Sequence, residues 1–349
     1  MQLDKDPHGR GCVLTDVAAH AGVSRQTVSR VVNGHPRVAP ATRDRVQHAI
    51  AELHYRPNDA ARTLVTGTTR RLGLAVLDVA EHGPWQTVLG LERAARLAGY
   101  SLTVTASQVT AGAVQESVAH LVAQSVDAVL VMATYTDVLD AVRGLRLPVP
   151  VVTMQAGPDP DRPTTWIDQA EGSRLATRHL VELGHGTVHH VAGPENSEES
   201  RHRLAGWRQE LSRVGVTPPP PLDGNWSAHS GHQAGRRLVE LMRGPVEQRP
   251  TAVLANDQMA LGLLKAVRDA GYSVPGDLSV VGFGDSPESA HLRPALTTVH
   301  LDFSELGRRA VDLALGGPHG EPAAAVVPRL VVRDSSGPPP PAERGTGGS

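Results

Sequence analysis

Short apolar runs alternate with amphipathic helical patterns from Leu72 to about residue 283. The apolar runs are rich in β-branched residues and are predicted strands at 72–79, 102–106, 128–132, 149–154, 187–192, 251–255 and 278–283. The stretches between them are predicted helices at 86–98, 113–124, 171–183, 201–214, 229–242 and 258–270. Buried strands that alternate with helices are typical of parallel sheets covered by helices on both faces. The region is too long for one sheet, so we predict an α/β body of two similar lobes.

Three short helical patterns precede this region. In the first, apolar residues recur at i, i+3, i+4 and i+7, and they are Leu14, Val17, Ala18 and Ala21. Gly22 can end this helix, and Ser24 can cap a second helix that buries its valines. A third helix is predicted from about residue 40 to residue 53, with Pro40 suited to its first turn. Two helices joined by a tight glycine turn, with a third behind them, predict an all-α helix-turn-helix head.

Charge is unevenly distributed along the chain, although its net value is only −2. Residues 10–71 contain ten Arg and four Asp or Glu, whereas the rest of the chain contains 24 Lys or Arg and 32 Asp or Glu. A basic head on an acidic body indicates that the head alone contacts a polyanion. Chance clustering of charge is the alternative.

The second helix presents polar side chains near its N-terminus. Because its valines face inward, the outward residues are Arg25, Gln26, Ser29 and Arg30. Arginine matches the two acceptors of guanine, and glutamine matches the donor and acceptor of adenine, so this face can read base edges in a major groove. Ser24, Thr27 and Asn33 can bind phosphates, which fix register without reading sequence. The alternative is an ordinary solvated polar face.

A segment at 55–64 follows the three-helix pattern. Pro57 ends the preceding helix, and Asn58 can cap a new one of about two turns, which is too short to persist alone in water. Ala61 leaves a smooth face for another backbone, and Leu64 can act as an apolar wedge in a minor groove. We therefore predict a hinge helix.

Several motifs occur in order along the chain. In the head they are DVA at 16–18, GVS at 22–24, TVSRV at 27–31 and RPN at 56–58. In the body they are AGP at 192–194, RLAGW at 203–207, NWS at 225–227, NDQMALG at 256–262, SVVG at 279–282 and DF at 302–303. On these motifs the chain resembles the lactose repressor (LacI/GalR) family from residue 14 to about residue 333, and its body is closest to the lactose-binding pattern of that family.

The resemblance implies a homodimer that represses transcription by binding a palindromic operator in double-stranded DNA. Each second helix would enter a major groove, with Arg25, Gln26 and Arg30 as the main base readers, and two copies of Leu64 would kink the operator. The full set of implied DNA contacts is Leu14, Thr15, Ser24, Arg25, Gln26, Thr27, Ser29, Arg30, Asn33, Arg37, Tyr55, Asn58, Ala61 and Leu64. The C-terminal end is rich in Gly and Pro and lacks heptads, so a dimer is favoured over a higher oligomer.

The resemblance also implies a body like the periplasmic sugar-binding proteins, with an effector in the cleft between two lobes. The residues implied to contact the effector are Gln155, Ile167, Arg203, Trp226, Asn256, Asp257, Asp285 and Phe303. Arg203 offers a planar fork to adjacent hydroxyls, Trp226 offers a flat apolar face, and Asn256 offers both a donor and an acceptor. Asp257 is expected to begin a helix and cap it. A structural role is the alternative for Arg203, Trp226 and Asp257.

The chain departs from the lactose-binding pattern of the family at three positions. Gln155 and Gly284 each stand where that pattern has an acid, and Leu301 replaces a polar residue. Fewer acceptors redirect hydroxyl recognition, so we expect a small-molecule sugar effector such as a galactoside or another glycoside with an apolar aglycone. An effector and an operator that prefer different lobe arrangements weaken each other's binding by the same factor. A purine or phosphorylated effector, and co-repression instead of induction, are the alternatives.

The predicted domains are a disordered tail at 1–12, a helix-turn-helix domain at 13–57, a hinge helix and linker at 58–70, a two-lobed effector-binding and dimerisation domain at 71–334, and a disordered tail at 335–349. The first residues lack the features of a signal peptide, no apolar run is long enough to span a membrane, and the single Cys12 suits a reducing compartment. We therefore expect a cytoplasmic, nucleoid-associated protein with no membrane partner.

Other protein classes agree less well with the sequence. His185, His189 and His190 are close in sequence, but neighbours in a strand point to opposite faces, so we expect no metal site. No nucleophile-elbow or P-loop motif occurs, and we expect neither enzymatic activity nor a cofactor. A solute-binding transport protein would carry a signal peptide and no basic head.

Overall fold

The computed structural model describes residues 12–32, 35–55, 63, 67–77, 82–245, 249–316 and 325–341. The chain divides into two compact units, Met1–Thr69 and Arg70–Ser349. The first unit contains the basic head, and the second contains the α/β body.

Three helices form the head: α1 (Leu14–Ala21), α2 (Arg25–Val32) and α3 (Pro40–Glu52). Gly22 ends α1 in a left-handed conformation at φ 63°, which glycine adopts without steric cost. The Oγ of Ser24 accepts a hydrogen bond of 3.2 Å from the backbone N–H of Thr27 and so caps α2. The core between the helices contains Val17, Val28, Val46, Ala49 and Tyr55. The predicted helix-turn-helix head is confirmed.

The first lobe of the body contains a parallel sheet with strands β1 (Arg71–Leu77), β2 (Ser101–Ser107), β3 (Ala128–Met132), β4 (Val151–Met154) and β5 (Thr164–Thr165). Their order in the sheet is β2-β1-β3-β4-β5. One face is covered by α4 (His82–Leu97), and the other by α5 (Ala111–Ala123) and α6 (Thr136–Arg143). Side chains along β1 point alternately to the two faces of the sheet. Leu72 and Leu74 pack on the α4 side, and Ala75 and Leu77 pack on the α5 side.

The second lobe contains strands β6 (His189–His190), β7 (Ala252–Leu254), β8 (Ser279–Gly284), β9 (Thr297–His300) and β10 (Arg329–Val331). Their order is β10-β9-β8-β7-β6, and all pairs are parallel except β10 with β9. One face carries α7 (Gln169–Glu182) and α8 (Glu198–Arg213), and the other carries α9 (Ala228–Met242) and α10 (Asp257–Asp269). Trp207 is completely buried on the α8 side, where its Nε1 donates to the carbonyl of Val188 at 2.9 Å. The predicted two-lobed α/β body is confirmed.

The chain crosses between the lobes three times. It passes from β5 into α7, from β9 into α11 (Phe303–Ala314), and from α11 back to β10. Helix α11 belongs to the first lobe, since Ala310 and Val311 pack in the same cluster as Leu72. It lies close against α4, where a Cβ on Gly90 would come within 2.6 Å of the carbonyl oxygen of Phe303.

The sequence patterns missed six elements of the body, namely α6, α11, β5, β9, β10 and the 3₁₀ helix Pro287–His291. Strands β5 and β10 have two and three residues, which is too short for alternation to be recognised. Helix α11 carried a usable signal, because Leu306, Ala310 and Val311 recur at helical spacing. The missed strands complete one edge of each sheet, and the missed helices α6 and α11 cover opposite faces of the first sheet.

The expectation that disorder begins at residue 335 is wrong. Ser335 is completely buried, and its Oγ accepts from the backbone N–H of Thr297 at 2.8 Å and donates to the carbonyl of Val280 at 2.6 Å. The carbonyl of Gly337 accepts a hydrogen bond of 2.9 Å from Nε2 of His185. A Gly, Pro and Ser composition suggests a loose tail, but here the hydroxyls and backbone of this segment bond to the second sheet.

Candidate nucleic-acid interface and ligand cleft

Helix α2 divides into a buried side and an exposed side. Val28 and Val31 lie in the core of the head, whereas Arg25, Gln26 and Arg30 are exposed. The exposed side therefore presents two guanidinium groups and one amide, which are the groups that pair with base edges in a major groove. The structure brings the predicted base readers together on this side.

Two hydroxyls that were predicted to bind phosphates take part in the cap of α2. The Oγ of Ser24 and the Oγ1 of Thr27 lie 2.9 Å apart. One hydroxyl donates to the other, so one proton of the pair stays available for a phosphate oxygen. The other predicted contacts in the described part of the head are the half-buried Leu14 and Ser29 and the exposed Thr15 and Arg37.

Tyr55 lies in the core of the head, where it is 8% exposed. A side chain this buried packs the three helices together, and its contact with DNA stays a prediction. The predicted contacts Asn33, Asn58, Ala61 and Leu64 lie outside the described residues.

A cavity of about 440 Å³ lies between the two lobes of the body. Its wall is formed by the carboxyl ends of β1, β3, β4 and β8 and by the first turns of α4, α8, α9 and α10. Ligands of open parallel sheets bind outside the carboxyl ends of the strands, and the volume suits a small organic ligand. The cavity brings together most of the predicted effector contacts, namely Gln155, Ile167, Arg203, Trp226, Asn256, Asp257 and Phe303.

Arg203 is stacked between two aromatic rings in the cavity wall. Its guanidinium carbon lies 4.0 Å from the ring centre of Phe283 and 4.8 Å from that of Trp226. Its Nε donates to Oε1 of Gln169 at 2.8 Å, and a terminal nitrogen lies 3.6 Å from the carboxylate of Glu199. The side chain is only 8% exposed, so these contacts fix the plane of the guanidinium group.

Trp226 has a left-handed backbone conformation at φ 71°. Non-glycine residues held in this region cost about 1–3 kcal/mol and cluster at binding sites. The indole ring lies directly over Gly193, where a Cβ would come within 2.0 Å of the ring. The backbone conformation and the glycine together place a flat apolar surface at the cavity.

The cap of α10 is Asn256 and not Asp257 as expected. The Oδ1 of Asn256 accepts a hydrogen bond of 2.7 Å from the backbone N–H of Met259, and its Nδ2 donates to the carbonyl of Trp226 at 3.2 Å. The side chain of Asn256 therefore fixes both the helix and the strained Trp226 backbone. One of its N–H groups is left for a ligand.

Asp257 is the first residue of α10, and its carboxylate is buried. Its Oδ1 accepts from the hydroxyl of Thr298 at 2.6 Å. Its Oδ2 accepts from the backbone N–H of Ser286 at 2.6 Å and from the hydroxyl of Ser289 at 3.0 Å. Both oxygens already accept bonds from the protein, which favours the structural alternative for this residue.

Asp285 is directed toward Arg333 and His300. Its two oxygens lie 2.7 Å from a terminal nitrogen of Arg333 and 2.9 Å from Nδ1 of His300. Burial alone would raise the pKa of Asp285, but the hydrogen bonds and charges of these two partners outweigh burial and hold the pKa below its usual value. The structure does not bring Asp285 to the cavity wall, so the expected effector contact is not supported; only the neighbouring Gly284 lies there.

Gln155 offers an acceptor at the cavity. Its Nε2 donates to the carbonyl of Gly157 at 2.8 Å, which fixes the amide. Its Oε1 is buried and has no hydrogen-bond partner among the described residues. A ligand hydroxyl that donates to this oxygen would satisfy it.

Sequence reasoning missed several residues of the cavity wall. They include Gln169 and Glu199, which hold Arg203, and also His82, Tyr135 and Ser197. Glu199 could have been found, because it stands four residues before Arg203 in a helical pattern and such pairs meet on one face. Gln169 could not have been found from the sequence, because it lies on α7 whereas Arg203 lies on α8.

The lobes are also joined at the edge of the cavity. The backbone N–H of Thr136 donates to the carbonyl of Asn196 at 3.1 Å, and the backbone N–H of Glu198 donates to the carbonyl of Thr134 at 2.9 Å. The hydroxyl of Thr136 donates to Oε1 of Glu198 at 2.8 Å and accepts from Arg201 at 2.7 Å. The cavity is therefore closed on this side.

An exposed apolar stripe runs along α4. Trp85, Leu89 and Leu97 lie at helical spacing on it, and Leu97 is 77% exposed. Val104 of the adjacent edge strand β2 is exposed as well. Exposed apolar side chains that gather on one helix and its neighbouring strand are typical of a protein interface.

The three histidines discounted as metal ligands have structural surroundings. His185 lies against Thr251 and Gly337, whereas His189 and His190 are buried in β6. Across the described ranges, no three His, Cys, Asp or Glu side chains gather as a metal site would need. None of the described helices is both long and apolar enough to cross a lipid bilayer.

Two protein-family models match the chain. The model of bacterial regulatory proteins of the lacI family matches residues 13–58, and the model of the periplasmic binding protein-like domain matches residues 177–336. Neither is a family of enzymes.

Relatives and solved structures match over most of their length. The lactose operon repressor of Escherichia coli (strain K12) is 38% identical over 311 residues, which cover 88% of this chain and 85% of that protein. The HTH-type transcriptional repressor PurR of Haemophilus influenzae (strain PittEE) is 32% identical over 336 residues, covering 92% of this chain and 98% of that protein. A crystal structure of the lac repressor dimer bound to operator and the anti-inducer ONPF has a TM-score of 0.81 and 34% identity, covering 94% of this chain and 100% of that one.

Proposed function

The chain belongs to the lactose repressor (LacI) family of DNA-binding transcriptional regulators, and from this premise we propose that it binds a palindromic operator as a homodimer and is released when a neutral sugar or glycoside binds between its lobes. The observation that carries the proposal is the exposed side of α2, with Arg25, Gln26 and Arg30 on a well-packed three-helix head. Phosphate contacts from the other polar residues of the head would fix the register.

A palindromic site needs two heads related by a two-fold axis. The exposed apolar stripe on α4 supports a second copy of the chain as the partner, because such a stripe is buried when two like surfaces meet. In this arrangement each protomer places one α2 in a major groove.

The cavity supports a neutral effector with hydroxyl groups. The carboxylate of Glu199 and two aromatic rings compensate the positive charge of Arg203. Its guanidinium group can therefore donate hydrogen bonds to hydroxyls without presenting an uncompensated charge to the ligand. Trp226 provides a flat surface for the C–H face of a sugar ring, and Gln155 Oε1 provides an acceptor. Ile167, Leu301 and Phe303 line the same cavity and suit an apolar aglycone.

A purine is the second candidate effector. Its flat ring can stack on Trp226, and the amides of Gln155 and Asn256 can pair with ring nitrogens. A phosphorylated metabolite agrees less well, because the carboxylates of Glu199 and Asp257 also lie in the cavity wall.

Effector and operator are coupled through the lobe arrangement. An effector that prefers one arrangement lowers operator affinity by the same factor as the operator lowers effector affinity. In co-repression the effector would instead raise operator affinity, and the same cavity and head would carry that coupling. Because the proposed partner is chromosomal DNA, we place the protein in the cytoplasm, associated with the nucleoid.

The DNA half is tested by selecting duplexes from a random pool and measuring the enriched palindrome by fluorescence anisotropy. Arg25→Ala should weaken that complex by about 1–3 kcal/mol, the discrimination of one bidentate base contact. The control is Arg96→Ala, which removes an exposed arginine of the body. Equal affinity of the native protein for the palindrome and for scrambled duplexes would contradict the proposal.

The effector half is tested by a thermal-shift screen of galactose, lactose, phenyl galactoside, adenine, hypoxanthine and galactose 6-phosphate. A ligand of the folded state raises the melting temperature, and we expect this for a sugar or glycoside. Arg203→Lys, which keeps the charge but loses the planar fork, should remove most of the shift. Stabilisation by nucleobases or the sugar phosphate alone would overturn the sugar assignment and leave DNA binding untouched. Anisotropy with the ligand present then separates induction from co-repression.

A further inference from the structure

The contact that closes one side of the cavity lies far from the places where the chain crosses between the lobes. It joins the loop after β3 to the loop after β6, where Tyr135 pairs with Ser197 in an antiparallel bridge. Two of the crossovers leave the second sheet at β9 and enter it at β10, whereas β6 is the opposite edge of that sheet. At a strand spacing of about 4.8 Å, the two edges are about 15–20 Å apart. A rotation of the lobes about the crossovers therefore separates this contact.

Three side chains form a closed ring of hydrogen bonds at this contact. The hydroxyl of Thr136 donates to Oε1 of Glu198 at 2.8 Å and accepts from one terminal nitrogen of Arg201 at 2.7 Å. The other terminal nitrogen of Arg201 donates to the same Oε1 at 3.0 Å. Thr136 begins α6 of the first lobe, whereas Glu198 and Arg201 belong to α8 of the second lobe. The first lobe therefore contributes one neutral hydroxyl to the ring, and the second lobe contributes both charges.

This division of charge lets the ring open without leaving an ion unpaired. Glu198 and Arg201 are three residues apart on α8, so they stay paired when Thr136 moves away. Two backbone bonds also cross between the lobes, from the N–H of Thr136 to the carbonyl of Asn196 and from the N–H of Glu198 to the carbonyl of Thr134. Asn196 and Arg201 are exposed, and the other three residues are half-buried, so water can replace the bonds that break.

We propose that Thr136, Glu198 and Arg201 form a releasable clasp, which holds the two lobes closed on the side of the cleft away from the crossovers. Tyr135 and Ser197, which stand next to the clasp in the chain, line the large cavity. Opening the clasp therefore moves part of the cavity wall and frees one lobe to rotate against the other. The clasp does not depend on which effector binds, whereas its effect on operator affinity rests on the proposed function.

Hydrogen exchange of the full chain without ligand tests the clasp, because separation of the lobes exposes the two backbone N–H groups that bridge them. Each variant is measured in the lobe that it leaves unchanged. In Thr136→Val the amide of Glu198 should exchange about 3–10-fold faster, and in Arg201→Ala the amide of Thr136 should do the same, as expected for the loss of one net hydrogen bond. The amide of Leu139, which is bonded within α6, should keep its native rate.

The matched control for Arg201→Ala is Arg237→Ala. Arg237 is also exposed and pairs at 2.9 Å with Glu240, three residues away on α9, but this pair lies wholly within the second lobe. Its removal should leave exchange at both bridging amides unchanged. Native exchange rates in Thr136→Val and Arg201→Ala would overturn the clasp. An equal rise at Leu139 would also overturn it, because α6 would then be unfolding instead of moving with its lobe.

Operator binding tests the functional consequence of the clasp. Thr136→Val and Arg201→Ala break the same contact, so both should change the affinity for the selected palindrome in the same direction and by a similar factor, up to about tenfold. Arg237→Ala should leave this affinity unchanged. Opposite or absent changes in the two clasp variants would overturn the coupling between the clasp and the head. A native protein that prefers no palindrome would instead contradict the proposed function, and the exchange rates would still decide whether the clasp exists.

Discussion

Replacing Asp257 by alanine should destabilise the body far more than replacing it by asparagine. The carboxylate is the shared acceptor for three donors of the second lobe: the hydroxyl of Thr298 in β9, the backbone N–H of Ser286, and the hydroxyl of Ser289. Ser289 belongs to the 3₁₀ helix Pro287–His291. Alanine would leave one buried N–H and two buried hydroxyls without this acceptor.

The size of the effect follows from which donors can find another partner. The hydroxyls of Ser286 and Ser289 are 3.0 Å apart and can bond to each other, but the backbone N–H of Ser286 cannot turn. Hydrogen bonds to a charged group contribute about 1.5–3 kcal/mol, and an orphaned buried donor costs about 1–3 kcal/mol. We therefore expect Asp257→Ala to lower the free energy of unfolding by about 3–5 kcal/mol. Asp257→Asn keeps one acceptor oxygen for the Ser286 N–H and should lose only about 1–2 kcal/mol.

The assay is urea denaturation of the full chain followed by tryptophan fluorescence, since Trp207 and Trp226 are both buried in this lobe. The matched control is Asp269→Ala on the same helix, where the carboxylate pairs with Lys265 at the surface and solvent screens the pair, so its loss should change stability little. If Asp257→Ala lies within the range of the control, the reasoning is refuted. If Asp257→Asn is as damaging as alanine, the negative charge itself, and not the acceptor geometry, is what the fold requires.

Three further changes have defined outcomes. Gly206→Ala should destabilise the second lobe by at least about 1–3 kcal/mol in thermal denaturation, because its Cβ would come within 2.1 Å of the carbonyl oxygen of Ala170; an unchanged melting temperature would contradict the close packing of α7 and α8. The pKa of His190 falls from the usual 6.5 to about 3 on folding, so the unfolded chain binds a proton that the folded chain does not, and stability is lost as pH falls from about 6.5 toward 3. The fall in melting temperature between about pH 7 and about pH 5 should therefore be smaller for His190→Phe than for the native protein, and equal slopes would exclude His190 as the cause. Leu97→Glu on the α4 stripe should shift the dimer toward monomer in sedimentation velocity, whereas Leu315→Glu, which changes another exposed leucine, should not; a stable Leu97→Glu dimer would place the interface elsewhere.

The head could be predicted from sequence because local signals determine it. Val17, Ala18 and Ala21 set one face of α1, Gly22 ends it, and Ser24 caps the next helix. Each of these signals acts within a few residues, so no knowledge of the tertiary fold is needed. The residues of the cleft were predicted in another way, because the motifs that contain Arg203, Trp226 and Asn256 carry the family resemblance that implied them.

The errors in the body come from partners that are distant in sequence. The carboxylate of Asp285 forms an ion pair with Arg333, which lies 48 residues later in the sequence. No residue close to Asp285 in the sequence indicates that ion pair. Asp257 and Asn256 are neighbours that can each cap a helix, and the choice depends on where α10 begins relative to Thr298 and Ser286. Composition could not reveal the role of Ser335, because its hydroxyl acts by completing bonds to two strands.

The position of α11 in the first lobe has a consequence for synthesis on the ribosome. The sheet face that carries Leu72 and Leu74 is covered partly by Ala310 and Val311, which emerge only after the second lobe's first four strands have been made. Domains usually fold as units in the order in which they leave the ribosome. The N-terminal lobe cannot do so, because part of its core is synthesised after the second lobe has begun. A nascent chain stalled before residue 303 would carry an uncovered apolar surface, which is the kind of surface that chaperones recognise.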